Sequence, residues 1–277
     1  MKAGQFAVFG HPISHSLSPQ IHQAFARQFG LELAYRTIDA SPDDFADAVR
    51  RFFAEEGARG ANVTLPHKNA AYALADVRSE AATRAGSANV LTLLPDGRIA
   101  AHNTDGTGAV RDLTERHQLD LRGHDALLLG AGGAAQGVAW SLMDAGVRTL
   151  TIVNRTPEKA DELADAIGEP LRAHTRYWED LDNIGSFDLV INATSAGVLG
   201  KPLDLPFGFV GNRATCYDLS YGKAATGFLA WARVAEAKFI VDGLGMLLET
   251  AADAFELWHG RRPDTEPVYN ELRQQYG

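Results

Sequence analysis

The chain has 277 residues, of which 45% are apolar, 22% charged and 9% aromatic. That composition belongs to a folded globular protein and excludes a disordered or low-complexity one. Its 26 basic and 35 acidic residues leave a formal charge of -9, which argues against a general binder of nucleic-acid phosphates.

The length fits one large domain or two ordinary ones. No apolar run in the sequence approaches the roughly 20 residues of a membrane helix. The opening residues carry no apolar stretch with a small-residue cleavage site, and Cys216 stands alone. A lone cysteine excludes an internal disulfide and a cysteine-clustered metal site. A cytoplasmic protein without membrane or nucleic-acid partners is expected.

Residues 5–9 form a short apolar run closed by Gly10 and read as a buried strand. Ser18-Pro19, ahead of Ile21, Ala24 and Phe25 at helical spacing, predicts a helix with Ser18 as its N-cap. Residues 33–38 read as a strand. Ser41-Pro42-Asp43 opens a helix with Phe45, Val49, Phe52 and Phe53 on its apolar face. A strand over 61–65 and a helix from Pro66 follow. Residues 90–94 and 98–101, joined by Pro95-Asp96-Gly97, predict a hairpin.

Further on, short apolar strands are predicted at 126–129, 149–153, 189–192, 216–219 and 239–241, most of them separated by helical patterns. Such alternation implies a parallel sheet with right-handed crossovers. Residues 246–258 and 265–276 are predicted helical. The fold class is α/β in both halves.

The clearest local motif follows the strand at 126–129. Gly130-Ala131-Gly132-Gly133-Ala134-Ala135 fits G-x-G-x-x-A between a strand and a helix. Gly130 permits a tight turn, Gly132 a close approach to a pyrophosphate, and Ala135 close helix packing. The helix start offers free N–H groups to phosphates. At the end of the next strand, where NAD sites place an acid for the ribose, the chain reads Asn154-Arg155-Thr156. No carboxylate repels a 2′-phosphate there, and Arg155 offers a charged planar fork. The expected cofactor is NADP.

Three segments carry polar residues where apolar ones would serve a core better: 11–19, 62–68, and Asn89 with Asn103-Thr104-Asp105-Gly106. Each lies at a predicted strand end or helix start, where open α/β sheets bind ligands. Lys68 near a carboxylate can exchange a proton with a substrate oxygen, and Asp105 is a candidate for that carboxylate. On composition alone, a surface lysine and a helix-capping aspartate explain both residues more simply.

Together these segments resemble the shikimate dehydrogenase family nearly end to end. The resemblance rests on His15-Ser16-Leu17-Ser18-Pro19, Asn62-Val63-Thr64-Leu65-Pro66-His67-Lys68 and Asn103-Thr104-Asp105-Gly106. It continues through Gly130-Ala131-Gly132-Gly133-Ala134, Asn154-Arg155-Thr156, Asn192-Ala193-Thr194-Ser195 and Asp242-Gly243-Leu244-Gly245-Met246. It implies NADP-linked reduction of 3-dehydroshikimate to shikimate. It also implies a substrate domain at 1–104 plus 242–277, with the C-terminal helices returning to it, and a Rossmann-like NADP domain at 105–241. The expected state is a monomer or homodimer.

By the same resemblance, Lys68 donates and accepts the proton and Asp105 assists it. Ser16 and Ser18 hold the substrate carboxylate, and Thr64, Asn89 and Asp105 bind ring hydroxyls. Tyr221 stands near the carboxylate. Gly130, Gly132, Gly133, Ala134, Asn154, Arg155, Thr156 and Gly243 form the expected cofactor set. His11, His15 and His67 are read as structural, and no metal is expected. The chain departs from the family at Thr250, where a glutamine that reaches a ring hydroxyl is usual. It also departs at Val90 after Asn89 and at His67. Two other readings remain: a dehydrogenase of quinate or a related cyclic hydroxy acid, and a silent NADP sensor. The sensor's mark would be loss of Lys68, which is present.

Overall fold

The computed structural model describes residues 4–276. The first strands and helices are β1 (Gly4–Gly10), α1 (Ser18–Gln28), β2 (Leu33–Asp39), α2 (Phe45–Phe53), β3 (Ala58–Val63) and α3 (Lys68–Leu74). Then come β4 (Val77–Arg78), α4 (Glu80–Ala85), the hairpin β5 (Val90–Leu93) and β6 (Ile99–His102), and α5 (Asp105–Arg111). The middle holds β7 (Asp125–Leu129), α6 (Gly133–Asp144), β8 (Thr149–Val153), α7 (Pro157–Ile167), β9 (Ala173–Arg176), β10 (Phe187–Asn192), β11 (Val210–Asp218), α8 (Thr226–Val234) and β12 (Phe239–Val241). Helices α9 (Leu244–His259) and α10 (Glu266–Tyr276) end the chain.

The chain forms two compact units. One contains the chain up to Gly108 together with Leu248–Gln275, and the other contains Ala109–Leu247. The seams fall inside α5 and α9, four and six residues beyond the expected boundaries. A helix that runs on through a seam leaves no change of composition to mark it. Residues 1–3 and 277 of the expected substrate domain lie outside the described residues.

In the first unit the strand order is β2-β1-β3-β5-β6-β4. β1 pairs in parallel with both β2 and β3, whereas β5 runs antiparallel to β3 and to β6. Phe45, Val49 and Phe52 of α2 pack on one face over Phe9, Ala61 and Val63. Phe6, Val8 and Tyr35 fill the other face with Trp258 of α9 against them. Burying each such side chain contributes about 1.5–3 kcal/mol.

The second unit is an all-parallel sheet, β12-β11-β10-β7-β8-β9. Its central strands are apolar on both faces: Leu128, Ile152 and Ile191 join one core, Leu127, Val153 and Val190 the other. A buried parallel strand needs such a continuous apolar run. The strand order reverses at β7, with β8 on one side and β10 on the other.

Several boundaries differ from those expected. Ser18 is the first residue of α1, and Leu17 holds the N-cap position. Ser18 N instead donates to Ser16 Oγ at 3.3 Å, and no side chain caps the helix at Leu17. Helix α2 starts at Phe45, because 41–44 close a turn in which Asp44 N donates to Ser41 O. β3 stops at Val63 and α3 starts at Lys68; between them His67 N donates to Thr64 O in a turn. β11 runs from Val210 rather than 216, and β4 and β9 were not expected. β9 reads Ala-His-Thr-Arg, too polar to signal a strand.

Candidate active site

Sheet register brings the first cluster together. β1 and β3 are parallel neighbours, so the segments after them leave the sheet at the same end. Thr64 N donates to Phe9 O at 2.9 Å, and His11 N to Leu65 O at 3.0 Å. β5 is antiparallel to β3, so it starts at that end, and β6 finishes there; Asn62 pairs with Val90, and Val90 with His102. Ser16, Ser18, Thr64, Lys68, Asn89 and Asp105 all come from these chain ends.

Lys68 opens α3, and its Nζ donates to Asp105 Oδ2 at 2.6 Å. The two side chains are only 11% and 5% exposed. Asn89 Nδ2 donates to Asp105 Oδ1 at 3.0 Å and to Thr104 Oγ1 at 2.9 Å. Asp105 N donates to Asn103 Oδ1 at 3.1 Å. Both carboxylate oxygens therefore have a donor, the condition under which a part-buried ion pair offsets its desolvation. The lysine keeps further N–H groups for an oxygen brought to it. An arrangement of this kind can stabilise and protonate a developing oxyanion.

Ser16 Oγ donates to Ser18 Oγ at 3.2 Å, and Thr64 is half-buried at the end of β3. Thr104 Oγ1 donates to the carbonyl of Thr250 at 3.3 Å, and Thr250 is buried. Among the histidines, His67 is buried, stacks on Phe45 at 4.4 Å, and donates through Nε2 to Ala40 O at 2.8 Å. Burial pushes its pKa down, with the carbonyl working against that. His11 Nδ1 lies 2.6 Å from Asp39 at the surface, and His15 is exposed. Among the described residues, no group of three or more His, Cys, Asp or Glu is placed to hold a metal.

The second cluster sits at the strand-order reversal of the other sheet, the usual ligand position in such folds. Gly130 follows β7 with φ +112, and a Cβ there would meet the backbone of Ala193 at 2.9 Å. Only glycine accepts both the angle and the contact. Helix α6 then starts at Gly133, with Gly132 as N-cap. No heavy atom lies within 4 Å of where a Gly132 Cβ would stand, so a phosphate group has room at the start of α6, the end toward which a helix directs its N–H groups.

At the end of β8, Asn154 Nδ2 donates to Thr156 O at 2.9 Å, and Arg155 is exposed. Arg155 lines a pocket of about 360 Å³ with Trp178, Thr194, Ser195 and Lys201. Arg155 and Lys201 supply its cations, and Asp204 its acid. These residues fit a 2′-phosphorylated dinucleotide. Lys201 and Trp178 were not expected from the sequence; they follow no motif and reach the pocket only through the fold. The loop after β10 is tied down from below. Asn192 Oδ1 accepts from Thr194 N and Oγ1, and Asn192 Nδ2 donates to Asp218 Oδ2 at 2.8 Å. Burial pushes the Asp218 carboxyl up to about 6, against the hydrogen bonds from Ser220 and Asn192.

Tyr221 and Gly243 lie in the second unit. Tyr221 is half-buried at the start of a short 3-10 turn. Gly243 has a packing reason to be glycine, since a Cβ there would meet Leu219 O at 2.2 Å.

Fold and sites define a two-unit α/β protein with a dinucleotide-binding unit. The profile of the shikimate dehydrogenase substrate binding domain matches residues 8–91. That of shikimate / quinate 5-dehydrogenase matches 112–199, and that of the shikimate 5′-dehydrogenase C-terminal domain matches 243–273. The shikimate dehydrogenase (NADP(+)) of Xylella fastidiosa (strain 9a5c) is 54% identical over 279 residues, 100% of this chain and 98% of that one. The crystal structure of an Ael1 enzyme from Pseudomonas putida superposes with a TM-score of 0.88 at 43% identity, covering 98% of each chain. Shikimate 5-dehydrogenase from Thermus thermophilus, in complex with NADP(H) and shikimate, gives 0.85 at 34% identity, covering 98% of this chain and 99% of that one. The chain belongs to the shikimate dehydrogenase family.

Proposed function

We propose that this enzyme interconverts 3-dehydroshikimate and shikimate, with NADP as hydride carrier. The observation that carries the reading is the 2.6 Å contact of Lys68 with Asp105, at the sheet end that supplies Ser16, Ser18, Thr64 and Asn89. The name of the Xylella relative and the ligands of the Thermus structure support it.

When bound, the nicotinamide supplies the hydride for reduction and takes it back in oxidation. Ser16 and Ser18 hold the substrate carboxylate, with Tyr221 near it, while Thr64, Asn89 and Asp105 take the ring hydroxyls. As charge grows on the ketone oxygen, the Lys68 ammonium stabilises it and gives it one proton. In the reverse direction, the Lys68–Asp105 pair takes up the hydroxyl proton. Asp105 keeps the amine aimed at that oxygen. Gly130, Gly132, Gly133 and Ala134 hold the pyrophosphate, Asn154, Arg155 and Thr156 the 2′-phosphate, and Gly243 completes the cofactor set.

No helix among the described residues is long and apolar enough to cross a membrane. With its net charge of -9 and one buried cysteine, the enzyme reads as a cytoplasmic monomer or homodimer that acts on small molecules. Steady-state turnover of shikimate and quinate, each with NADP+ and NAD+, tests the function. The highest kcat/KM is expected for shikimate with NADP+; a higher value for quinate would overturn the substrate.

Arg155→Ala is expected to raise the KM for NADP on the order of 10- to 100-fold, the size of lost hydrogen bonds to a charged group. The KM for NAD, which has no 2′-phosphate, should change little. Equal increases would remove Arg155 from cofactor discrimination.

Thr250 marks the departure from the family pattern. The hydrogen bond from Thr104 to its carbonyl supports placing residue 250 on the substrate side. Threonine is shorter than glutamine and leaves a ring hydroxyl short of one protein partner. Thr250→Gln is therefore expected to lower the KM for shikimate a few-fold, about 1 kcal/mol, with kcat little changed. If the variant instead impairs quinate and leaves shikimate alone, threonine is making room for a different ring substituent. Unchanged constants for both would put residue 250 outside the pocket.

A further inference from the structure

Two strands of the dinucleotide unit end in buried polar residues that no step of the reaction uses. Asn192 closes β10 and Asp218 closes β11; they stand opposite each other in the parallel register and are 3% and 1% exposed. Asn192 Nδ2 donates to Asp218 Oδ2 at 2.8 Å. Each residue also closes the turn that follows its own strand. Asn192 Oδ1 accepts from Thr194 N at 3.1 Å and from Thr194 Oγ1 at 2.7 Å, and Asp218 Oδ1 accepts from Ser220 N at 2.7 Å.

An asparagine amide has an accepting end and a donating end, and the wrong end would set its N–H groups against that of Thr194. Asp218 removes the choice. Each of its oxygens takes an N–H, so the ionised group accepts on both sides and admits only the nitrogen of Asn192. The amide oxygen is thereby left facing the loop. Buried donors without acceptors are costly, which keeps this arrangement in place.

The loop held in this way touches both parts of the cofactor site. Ala193 N donates to Leu129 O at 2.8 Å, and the Ala193 carbonyl is what a Cβ on Gly130 would strike at 2.9 Å. Thr194, Ser195 and Ala196 then line the pocket of Arg155 and Lys201. We propose that Asp218 is a positioning residue for NADP, fixing through Asn192 the segment 193–196 that packs on the glycine turn and walls the Arg155 pocket. This rests on the reading of that pocket as the 2′-phosphate site.

The test breaks the link from either side and then remakes it, in the full-length enzyme. Asp218→Leu fills the volume and offers no acceptor; Asn192→Asp sets one carboxylate against the other. The exchange of both, Asn192→Asp with Asp218→Asn, restores every bond, since the new amide serves Ser220 N with its oxygen and residue 192 with its nitrogen. Assays run at about pH 8, where a carboxyl of pKa about 6 is ionised. Each breaking variant is expected to raise the KM for NADP about 3- to 10-fold, the range of one hydrogen bond. The KM for shikimate and kcat should stay unchanged, and the exchange should return the KM for NADP to the parent value. A lower urea midpoint with unchanged KM for NADP would reduce the link to a structural role and overturn the proposal. So would an exchange that recovers stability without the KM, or an equal rise in the KM for shikimate. Binding of adenosine 2′,5′-bisphosphate and of AMP separates the two readings. A parent enzyme that does not prefer the bisphosphate overturns the pocket assignment and the proposal with it. Breaking variants that bind the bisphosphate as well as the parent overturn the positioning role alone.

Discussion

Alanine at position 68 is expected to lower kcat by about 10²–10⁴-fold, the usual contribution of a positioned acid or base. The KM for NADP should be unaffected, since Lys68 belongs to the first unit and the dinucleotide loop to the second. The substitution has a second effect that must be separated from the first. Asp105 is 5% exposed, and without Lys68 its charge keeps only the Asn89 donor. Removing one partner of a part-buried ion pair costs about 3–5 kcal/mol, so Lys68→Ala should also unfold at lower denaturant. Adding Asp105→Asn removes the stranded charge. The double variant should therefore regain stability without regaining activity, and its kcat should be no lower than that of Lys68→Ala. A single variant with near-normal kcat would take Lys68 out of the mechanism. Recovery of activity in step with stability would reduce the pair to a structural role.

Local features of this fold could be read directly from the chain, and features made by pairing could not. Residues 126–129 and the glycines after them announced a strand, a turn and a helix start, because the apolar run and the φ +112 of Gly130 are properties of adjacent residues. Arg155 was legible for the same reason, as the second residue after a strand end. Lys68 and Asp105 are 37 residues apart; what joins them is the antiparallel register of β3, β5 and β6. On residue type alone they looked like surface charge and helix cap, and only the resemblance to a family raised them above that. Ser18 shows the reverse error. A serine before proline suits both an N-cap and a first helical position, and Ser16 Oγ decided between them by taking the Ser18 N–H. His22 gave no signal, since a histidine on a helix reads as ordinary core.

Acid should destabilise this protein through His22. Its ring is fully buried, with one nitrogen bonded to Asn62 and Nδ1 without a partner. Burial pushes its pKa down to about 3, His259 pushes it the same way, and the Asn62 bond opposes them. A histidine in the unfolded chain titrates near 6.5. Between pH 6.5 and 3 the unfolded state therefore binds a proton that the folded state refuses, and stability falls as pH falls. The full difference is about 5 kcal/mol at pH 3, and about half of that at pH 4.5. His67, His102 and His259 are also lowered by burial and add in the same direction. Asp218 acts oppositely. Its folded pKa of about 6 exceeds the 3.8 of a free aspartate, so its protonation adds stability as pH falls from 6 toward 4. It lies in the second unit, and His22 in the first. Acidification should then loosen the unit holding β1, α1 and α9 before the other. His22→Gln keeps a donor for Asn62 and removes the titrating ring. The variant's stability at pH 7 is secondary; the slope of stability against pH is the measurement. Urea unfolding of parent and variant between pH 7 and 4 is expected to give a steeper loss in the parent, by about 3 kcal/mol over the range. Parallel curves would show that His22 accepts its proton inside the fold, and acid lability would then have to be sought in the other buried histidines.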